Sequence, residues 1–490
     1  GPKRGGVLNY AEIGEFDHFS PWRMSEIDMN MYNQVFDRLI WKDDAGEVHA
    51  GMAESWEMAP DGLSFTVKIK ENVKWHDGKD FTAEDFVNMY NYTKDEELLK
   101  DPAVKKVADL VKPIGDVKAV DKYTLQFLFP TPVPYIIDII DYMWAVRIDD
   151  KSDPGFMKKP PIGTGPFKMI EWSPNQYTRY EGFDQYYKDD MPYLDGWMFK
   201  RLDKAETLIP NLESGAVDGI YNPPAGDVER LQKDERFTVE INGAQGSVYN
   251  IIVNPKLPPF DKKEVRQALS YSLDRQTMVE NAFYGIGEPV HSIFWSPASM
   301  SYREDLANAY PFDLDKAAKL LAQAGVKDLE IDIHPTPRWP GMKLFCLIWQ
   351  ADLAKIGVKL NVQEVESARF YEIGGDSNLL GFGLHPWLNG RTTRDPAIFL
   401  GTQWNYRGGE SNRYGWRNDE LEKLVADAAV ELDEGKRTQM YQRCNEILTD
   451  ELPMINVATN PRIFAWHKDL KDVHYDLIAI PMLDSAWLDR

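Results

Sequence analysis

Arginine and tryptophan side chains are concentrated between Pro335 and Trp416, in stretches that read TPRWPG, HPWLNGRTTRDP, TQWNYRGG and SNRYGWRND. An aromatic ring can stack on the apolar face of a small molecule, and a guanidinium can pair with a carboxylate or a phosphate. Any one of these residues could instead pack in a loop or pair with a surface acid. As a group they are locally basic in an acidic chain, so we expect them to form a binding wall for a small polar molecule.

The motifs of common enzymes are absent from the sequence. It contains no G-x-x-x-x-G-K-[ST], no H-E-x-x-H, no G-x-S-x-G and no C-x-x-C, and its eight histidines show no pair at metal-ligand spacing. We therefore predict a protein that is not an enzyme, with no catalytic residue, no metal and no cofactor. A cleft hydrolase such as a glycosidase stays as a remote alternative, because it needs only two carboxylates across a cleft.

Length and charge limit the class of protein. With 490 residues, 43% of them hydrophobic, the chain can bury a large core and has the length of two or three domains. Its net charge of -22 repels polyphosphates, so we predict neither nucleic acid nor an anionic membrane surface as a partner.

The cysteines and the chain start do not indicate a compartment. Cys346 and Cys444 are the only cysteines, and each lies among apolar residues at helical spacing, which favours buried free thiols over a disulfide. The sequence has no apolar run of about 18 residues and no apolar leader. Gly1 and Pro2 look like the remnant of a cleaved tag, so the missing leader is not taken as a sign of the cytoplasm.

Strand and turn signals dominate the N-terminal part of the chain. Alternating apolar residues in SFTVKIK predict a strand, and the Pro-Asp-Gly at 60–62 predicts the turn of a hairpin before it. A helix is predicted after Thr82, with Asp85 completing an acidic capping box. We expect His76, in the turn beside Asp77, to have a structural role.

Helices, glycines and strands alternate over residues 241–457, and this pattern predicts an α/β region. Helices are predicted in DKAAKLLAQAG and KLFCLIWQADLAKIG, ending at Gly325 and Gly357, and a strand is predicted in VKLNVQEV. Asp261 and Glu264 have the spacing of a capping box that would open a single helix through EVRQALSYSLDRQTMVENAF.

The stretch AESWEMAPDGLSFTVKIKENVKWHDGKDFTAEDF, at 53–86, resembles the defining segment of the peptide, opine and nickel family of solute-binding proteins. Members of this family are extracytoplasmic receptors of ABC importers. Further matches follow in the family's order: IGTGPF at 162, FDKKEVRQALSYSLDR at 260, AQAG at 322 and LIWQADLAKIGVKLNV at 347. Together they span nearly the whole chain, and they leave the ligand open.

The resemblance implies an α/β, two-lobed periplasmic-binding-protein fold of type II, in a three-domain variant with a hinge between the lobes. Lobe one would be discontinuous, with a small extra domain packed on it, and binding would close the lobes for recognition by a membrane permease. A monomer in the periplasm, or held outside the cytoplasm by a lipid anchor, is implied. The domains would be 1–37, 165–240 and 458–490 for lobe one, 38–164 for the extra domain and 241–457 for the second ligand-binding lobe.

Ligand contacts can be carried over where the family's motifs match. In peptide-binding members an Asp in a G-D-x-x-D-P-like stretch anchors the ligand's amino terminus, but in GRTTRDPAIFL Thr392 occupies that position, three residues before Asp395. A buried ammonium would lose its counter-charge there, which argues against ordinary peptides. Asp395 is expected to fix a turn. Arg338, in TPRWPG, resembles the family arginine that meets a ligand carboxylate.

We therefore expect a ligand with more negative than positive character, such as an opine, an acidic peptide-like conjugate or a small acid. Some family members bind oligosaccharides by aromatic stacking, and the 15 tryptophans keep this alternative open. Nickel and haem are less favoured because histidines and cysteines are not clustered. The candidate ligand-binding residues are Arg338, Trp339, Trp387, Arg391, Thr392, Arg394 and Trp404, with Trp22 on the opposite wall.

Overall fold

The described chain forms two compact units. Unit 1 comprises Gly1–Asn242 and Arg462–Arg490, and unit 2 comprises Gly243–Pro461. The predicted further division, with residues 38–164 as a separate small domain, stays a prediction. The structure is a computed structural model that describes the whole chain except residues 15–20, 22–28, 101, 149–159, 244–245, 391–393 and 404–413.

The strands confirm most of the predicted β segments. In chain order they are β1 (Val7–Ile13), β2 (Ile40–Lys42), β3 (Val48–Ala50), β4 (Ala53–Met58), β5 (Ser64–Ile69), β6 (Asp116–Asp121), β7 (Thr124–Leu128), β8 (Phe167–Ser173), β9 (Tyr177–Gly182), β10 (Gly196–Leu202), β11 (Gly219–Tyr221), β12 (Phe237–Asn242), β13 (Val248–Val253), β14 (Glu330–Ile333), β15 (Lys359–Val362), β16 (Leu384–Asn389), β17 (Met454–Thr459), β18 (Arg462–His467), β19 (Leu470–Lys471), β20 (His474–Tyr475), β21 (Pro481–Met482) and β22 (Trp487–Leu488).

The two longest helices lie in unit 2. In chain order they are α1 (Tyr32–Val35), α2 (Ala83–Tyr92), α3 (Pro102–Val111), α4 (Ile136–Ile140), α5 (Leu208–Glu213), α6 (Val228–Lys233), α7 (Lys263–Tyr271), α8 (Arg275–Ala282), α9 (Leu314–Gln323), α10 (Pro340–Ala354), α11 (Ser367–Gly375), α12 (Pro396–Ile398), α13 (Asp419–Ala428) and α14 (Glu434–Glu451).

The main sheet of unit 1 has seven strands in the order β12-β18-β11-β1-β10-β9-β8. Strand β1 is parallel to β10 and β11, and the other neighbouring pairs are antiparallel. Strand β12 ends at Asn242 and β18 begins at Arg462, and these two residues are paired in the ladder. The chain therefore leaves unit 1 and returns to it at neighbouring positions.

The stretch that carries the strongest family resemblance lies on a four-stranded antiparallel sheet of unit 1, in the order β4-β5-β7-β6. The alternating side chains Phe65, Val67 and Ile69 of β5 are all buried, as the sequence pattern predicts. The capping box at the start of α2 is confirmed. The Thr82 hydroxyl accepts from the Asp85 N–H at 3.4 Å, and the Asp85 carboxylate accepts from the Thr82 N–H at 2.9 Å.

This cap gives a local stability prediction. We expect Thr82→Ala to lower the free energy of unfolding by about 1 kcal/mol, because the Asp85 N–H loses its side-chain acceptor. Urea unfolding followed by tryptophan fluorescence would measure the change. Thr238→Ala, at an exposed threonine of β12, is the control. A loss no larger than that of the control would contradict the role of the cap.

His76 has the structural role predicted for it. Its Nδ1 accepts from the Gly163 N–H at 3.2 Å, and its Nε2 lies 3.0 Å from the Gly165 carbonyl oxygen, to which it donates. Burial lowers the pKa of His76 to about 4, so the ring is neutral at pH 7, as these two bonds require. A Cβ added to Gly163 would lie 2.0 Å from the Val35 carbonyl oxygen, which explains the glycine in IGTGPF. The hydrogen bonds of His76 therefore link the 53–86 stretch to the IGTGPF motif.

Unit 2 is built on a three-stranded antiparallel sheet in the order β16-β13-β17. Side chains such as Ile251 and Ile455 lie in the large hydrophobic core of the unit, where α7, α8 and α10 also contribute. Because side chains alternate between the two faces of a strand, Ile251 of β13 faces this core, and its neighbours Asn250 and Ile252 lie on the opposite face, where both are buried.

The single helix predicted after Asp261 is wrong. The structure has two helices, α7 and α8, and Lys262 precedes α7 without a side-chain cap, so the capping box assigned to Asp261 and Glu264 does not form. The break occurs because Asp274 accepts from the Thr277 N–H at 3.1 Å and caps a new helix.

Other helix predictions in unit 2 are confirmed. Helices α9 and α10 are followed by Gly325 and Gly357, which have φ values of 72° and 77° in the left-handed region that favours glycine. Cys346 on α10 and Cys444 on α14 are free and buried, as predicted. Burial raises the pKa of both thiols, that of Cys444 to about 12, so both are protonated at pH 7.

Candidate functional site

The loop TPRWPG connects β14 to α10 and is held at both ends. Thr336 is fully buried, and its carbonyl oxygen accepts from the Trp339 N–H at 3.2 Å. Trp339 occupies the N-cap position of α10, and Pro340 is the first helical residue, where a missing N–H costs no hydrogen bond. Arg338 lies between these anchors and is exposed.

The Arg338 guanidinium lies over two aromatic side chains. Its central carbon is 5.4 Å from the ring centroid of Trp339 and 5.6 Å from that of Tyr371. Among the described residues, no carboxylate forms an ion pair with Arg338, whereas nearby Arg369 on α11 pairs with Glu372 at 2.9 Å. In a chain with 78 acidic residues, Arg338 therefore keeps its N–H donors available to a ligand.

Tyr371 joins this pair to Trp387. The Tyr371 and Trp387 rings meet edge to face, with centroids 5.7 Å apart, and Phe370 stacks on Trp387 at 5.3 Å. Trp339 and Trp387 are half-buried, and Tyr371 is 39% exposed. We call the group of Arg338, Trp339, Tyr371 and Trp387 the aromatic wall. It can offer ring surface to an apolar part of a ligand and a guanidinium to an anionic part.

A glycine on α11 allows the Trp387 ring of the aromatic wall to pack closely against that helix. A Cβ added to Gly374, on α11, would lie 2.2 Å from the Trp387 ring, so only glycine lets the indole lie this close to the helix. Phe370 lies four residues before Gly374 on the same helix face. The sequence carries no local signal for Tyr371, the neighbour of Phe370 on this helix.

The structure therefore brings together three of the predicted residues, Arg338, Trp339 and Trp387, and adds Tyr371, which the sequence analysis missed. The side chain of Arg394 is fully buried. Its part in ligand binding stays a prediction. The other candidates lie outside the described residues: Trp22, Arg391, Thr392 and Trp404.

Asp395 fixes the chain next to these candidates, as predicted from its place before Pro396. Its carboxylate accepts from the Ala397 N–H at 3.0 Å and caps α12. Both of its oxygens also accept from Arg437 of α14, each at 2.6 Å, and the two side chains are only 8% and 4% exposed. A buried bidentate pair of this kind fixes both distance and orientation.

Two histidines lie buried near the aromatic wall. His385 on β16 is 4.7 Å from Phe370, and His334 is 4.4 Å from Phe382, between ring centroids. Burial lowers the pKa of both imidazoles, that of His385 to about 3. Both rings are therefore neutral at pH 7.

His385 gives a prediction for stability against pH. A histidine in the unfolded chain has a pKa of about 6.5, so between about pH 6.5 and 3 the unfolded state binds a proton that the folded state does not. The stability that depends on neutral His385 is complete above about pH 6.5 and is lost as the pH falls. We expect His385→Leu to reduce the loss of unfolding free energy between pH 7.5 and 5.0 by about 1 to 2 kcal/mol.

Urea unfolding at the two pH values would measure this difference. His474→Leu, at an exposed histidine, is the control. Equal pH dependence in wild type and His385→Leu would show that His385 is not excluded from protonation in the folded state.

Within the described ranges, no group of three or more histidine, cysteine, aspartate or glutamate side chains is placed to hold a metal ion. No helix in those ranges is long and apolar enough to cross a bilayer.

A mixed α/β chain of two compact units, joined where β12 and β18 meet, has the two-lobed fold of the periplasmic binding proteins. The chain belongs to the bacterial extracellular solute-binding proteins of family 5, because the sequence model named "Bacterial extracellular solute-binding proteins, family 5 Middle" matches residues 47–410. The family predicted from the sequence is therefore confirmed.

Individual relatives differ in their named ligands. Di/tripeptide-binding protein 1 of Pseudomonas aeruginosa (strain UCBPP-PA14) is 28% identical over 460 residues, covering 86% of this chain and 83% of the relative. Heme-binding protein A of Haemophilus influenzae is 29% identical over 460 residues, covering 87% and 81%. The structure of AgaA from A. tumefaciens R10 in complex with agropinic acid superposes with a TM-score of 0.80 at 22% identity, covers 99% of both chains, and supports the fold.

These comparisons show that the chain is a solute-binding protein of an ABC transporter. The family includes proteins of peptide transport. The relatives are binding proteins of ABC importers and not enzymes, and proteins of the family are periplasmic or extracellular. The relatives named above do not favour the oligosaccharide alternative. Because the named ligands of these relatives differ, the class of ligand that this chain binds has to be inferred from its own residues.

Proposed function

We propose that the protein is an extracytoplasmic receptor that captures a small molecule bearing a carboxylate and delivers it to the permease of an ABC importer. The ligand is peptide-like, opine-like or another acid. One observation carries the proposal: Arg338 is exposed and lies over two aromatic rings, and no carboxylate of the described residues pairs with it.

Binding requires no covalent chemistry. The guanidinium edge donates to the two carboxylate oxygens, and Trp339, Tyr371 and Trp387 cover the apolar part of the ligand. The free energy of binding favours a closed arrangement of the two lobes, which the permease recognises. Arg391, Thr392, Arg394, Trp404 and Trp22 are proposed as further contacts.

Thr392 is the basis for proposing the charge of the ligand. An aspartate at this position would neutralise an amino terminus, and threonine supplies no charge, so an acid without a free ammonium is favoured over an ordinary peptide. We also propose that the protein acts as a monomer, either free in a periplasm or attached outside the cytoplasm by a lipid anchor.

A thermal-shift screen tests the proposal. Matched pairs of opines and peptides, each with a free or an amidated carboxyl group, are compared with cellobiose and xylobiose. A ligand that binds the folded state raises the melting temperature in a dose-dependent way. We expect this only from the free acids, and most strongly from those without a free ammonium. The shift should decrease as salt screens the ion pair. Equal stabilisation by acids and their amides, or by the sugars alone, would contradict an acid receptor.

A further inference from the structure

Tyr371 lies on the aromatic wall beside Arg338. It is 39% exposed, and its ring packs edge to face against both Phe370, at 5.2 Å and 84°, and Trp387, at 5.7 Å and 82°. These two contacts restrain the orientation of the tyrosine ring. The guanidinium of Arg338, 5.6 Å from the ring centroid, lies over its face.

The two ring contacts of Arg338 restrict how it can bind a ligand. A guanidinium is attracted to the negative face of an aromatic ring through its own flat face. The Arg338 guanidinium lies over the Trp339 ring at 5.4 Å and over the Tyr371 ring at 5.6 Å, and no hydrogen bond to a described residue occupies its N–H groups. The edge of a guanidinium matches the two oxygens of a carboxylate, and such a bidentate pair depends on orientation as well as on charge.

The surroundings of the guanidinium also limit the ligand. Trp339 is half-buried and Tyr371 is more than one-third exposed, so ring surface stays open to solvent beside Arg338. A ligand that covers this surface gains hydrophobic free energy that a compact acid such as acetate does not gain.

We propose that Tyr371 is a positioning residue for Arg338, and that together they select carboxylates bonded to an apolar or aromatic group. This inference rests on the proposed function and deepens it. Tyr371 orients the guanidinium before the ligand arrives, so less conformational entropy is lost on binding. The tyrosine ring, and not its hydroxyl, performs this task.

The orientation can be measured without any ligand. In protein labelled with 15N-arginine, the Nε–H signal of Arg338 is assigned by its loss in Arg338→Lys, and its order parameter is measured in wild type, Tyr371→Phe and Tyr371→Leu. We expect Tyr371→Phe to leave the order parameter unchanged and Tyr371→Leu to lower it clearly. The control is Tyr193→Leu, because the Tyr193 ring lies 5.7 Å from the guanidinium of Arg4 and should affect only Arg4. An unchanged Arg338 signal in Tyr371→Leu would overturn the positioning role.

Binding of defined probes tests the selectivity in the same samples. Phenylacetate, phenylacetamide and acetate are titrated while the Arg338 signal is followed. We expect phenylacetate to bind wild type and Tyr371→Phe within about twofold of each other, and Tyr371→Leu about tenfold more weakly. Acetate should bind more weakly than phenylacetate. Equal affinities for phenylacetate and acetate, or no binding of phenylacetate to wild type, would overturn the selected ligand class.

The failure of the proposed function gives a different result. If phenylacetamide binds as tightly as phenylacetate, the site does not recognise a carboxylate, and the acid receptor itself is refuted. If the acid is preferred but Tyr371→Leu binds it as well as wild type does, the acid receptor stands and only the role of Tyr371 is wrong. Melting temperatures of all variants show whether a loss of binding reflects unfolding.

Discussion

Replacing Arg338 by alanine is expected to lower the affinity for a carboxylate ligand by about 100-fold, because a hydrogen-bonded pair with a charged group contributes roughly 1.5 to 3 kcal/mol. The side chain is exposed, so its removal should leave the free energy of unfolding nearly unchanged. Isothermal titration with the most stabilising acid of the thermal screen measures the effect. The amide of the same molecule should bind wild type and Arg338→Ala equally weakly.

Two further variants identify the cause of that loss. Arg369→Ala removes an exposed arginine that already pairs with Glu372, and it should not change the affinity by more than about twofold. Arg338→Lys keeps the positive charge but not the planar fork, so its affinity should lie between those of wild type and Arg338→Ala. Wild-type affinity in Arg338→Ala would place the carboxylate elsewhere in the protein.

Replacing Arg437 by methionine is expected to lower the free energy of unfolding by about 3 to 5 kcal/mol, because it removes the bidentate partner of the buried Asp395 carboxylate. Asp395 is 8% exposed, and both of its oxygens accept from Arg437. The Ala428 carbonyl oxygen would also lose the hydrogen bond from Arg437 Nε, at 3.0 Å. Urea unfolding monitored by tryptophan fluorescence measures the change.

The control lies on the same helix. Arg443 of α14 pairs with Glu420 and Glu446, is 42% exposed, and Arg443→Met should cost less than about 1 kcal/mol. Asp395 lies next to the candidate residues 391–394, so Arg437→Met should also weaken ligand binding, whereas Arg443→Met should not. Equal stability of the two variants would mean that the buried pair of Asp395 and Arg437 does not stabilise this part of unit 2.

The sequence predicted best those features that depend on neighbouring residues. The cap at Thr82 and Asp85, the alternating strand β5 and the glycines after α9 and α10 follow from hydrogen bonds and backbone angles within a few residues. The same local chemistry shows why the helix after Asp261 was extended too far. Asp274 starts a new helix inside an apolar pattern that by itself would continue.

Features that depend on distant parts of the chain were harder to predict. Arg338 and Trp339 were found because they stand in one motif, but Tyr371 joins them only when α11 packs against β16, and no local pattern marks it. The ion pair of Asp395 was also hard to predict, because its partner Arg437 lies 42 residues further along the chain. Arg394 was predicted from its place in the GRTTRDP stretch, and a sequence pattern of this kind does not show that its side chain is fully buried.

The central claim is that this receptor binds a molecule through its carboxylate, and the most direct test is to identify what it holds. Native mass spectrometry of the purified protein gives the mass of any bound molecule, and denaturation releases that molecule for identification. We predict an acid that carries an apolar or aromatic group and that binds Arg338→Ala much more weakly than wild type. A neutral oligosaccharide that binds both proteins equally would contradict this account and would assign the aromatic wall to sugar stacking.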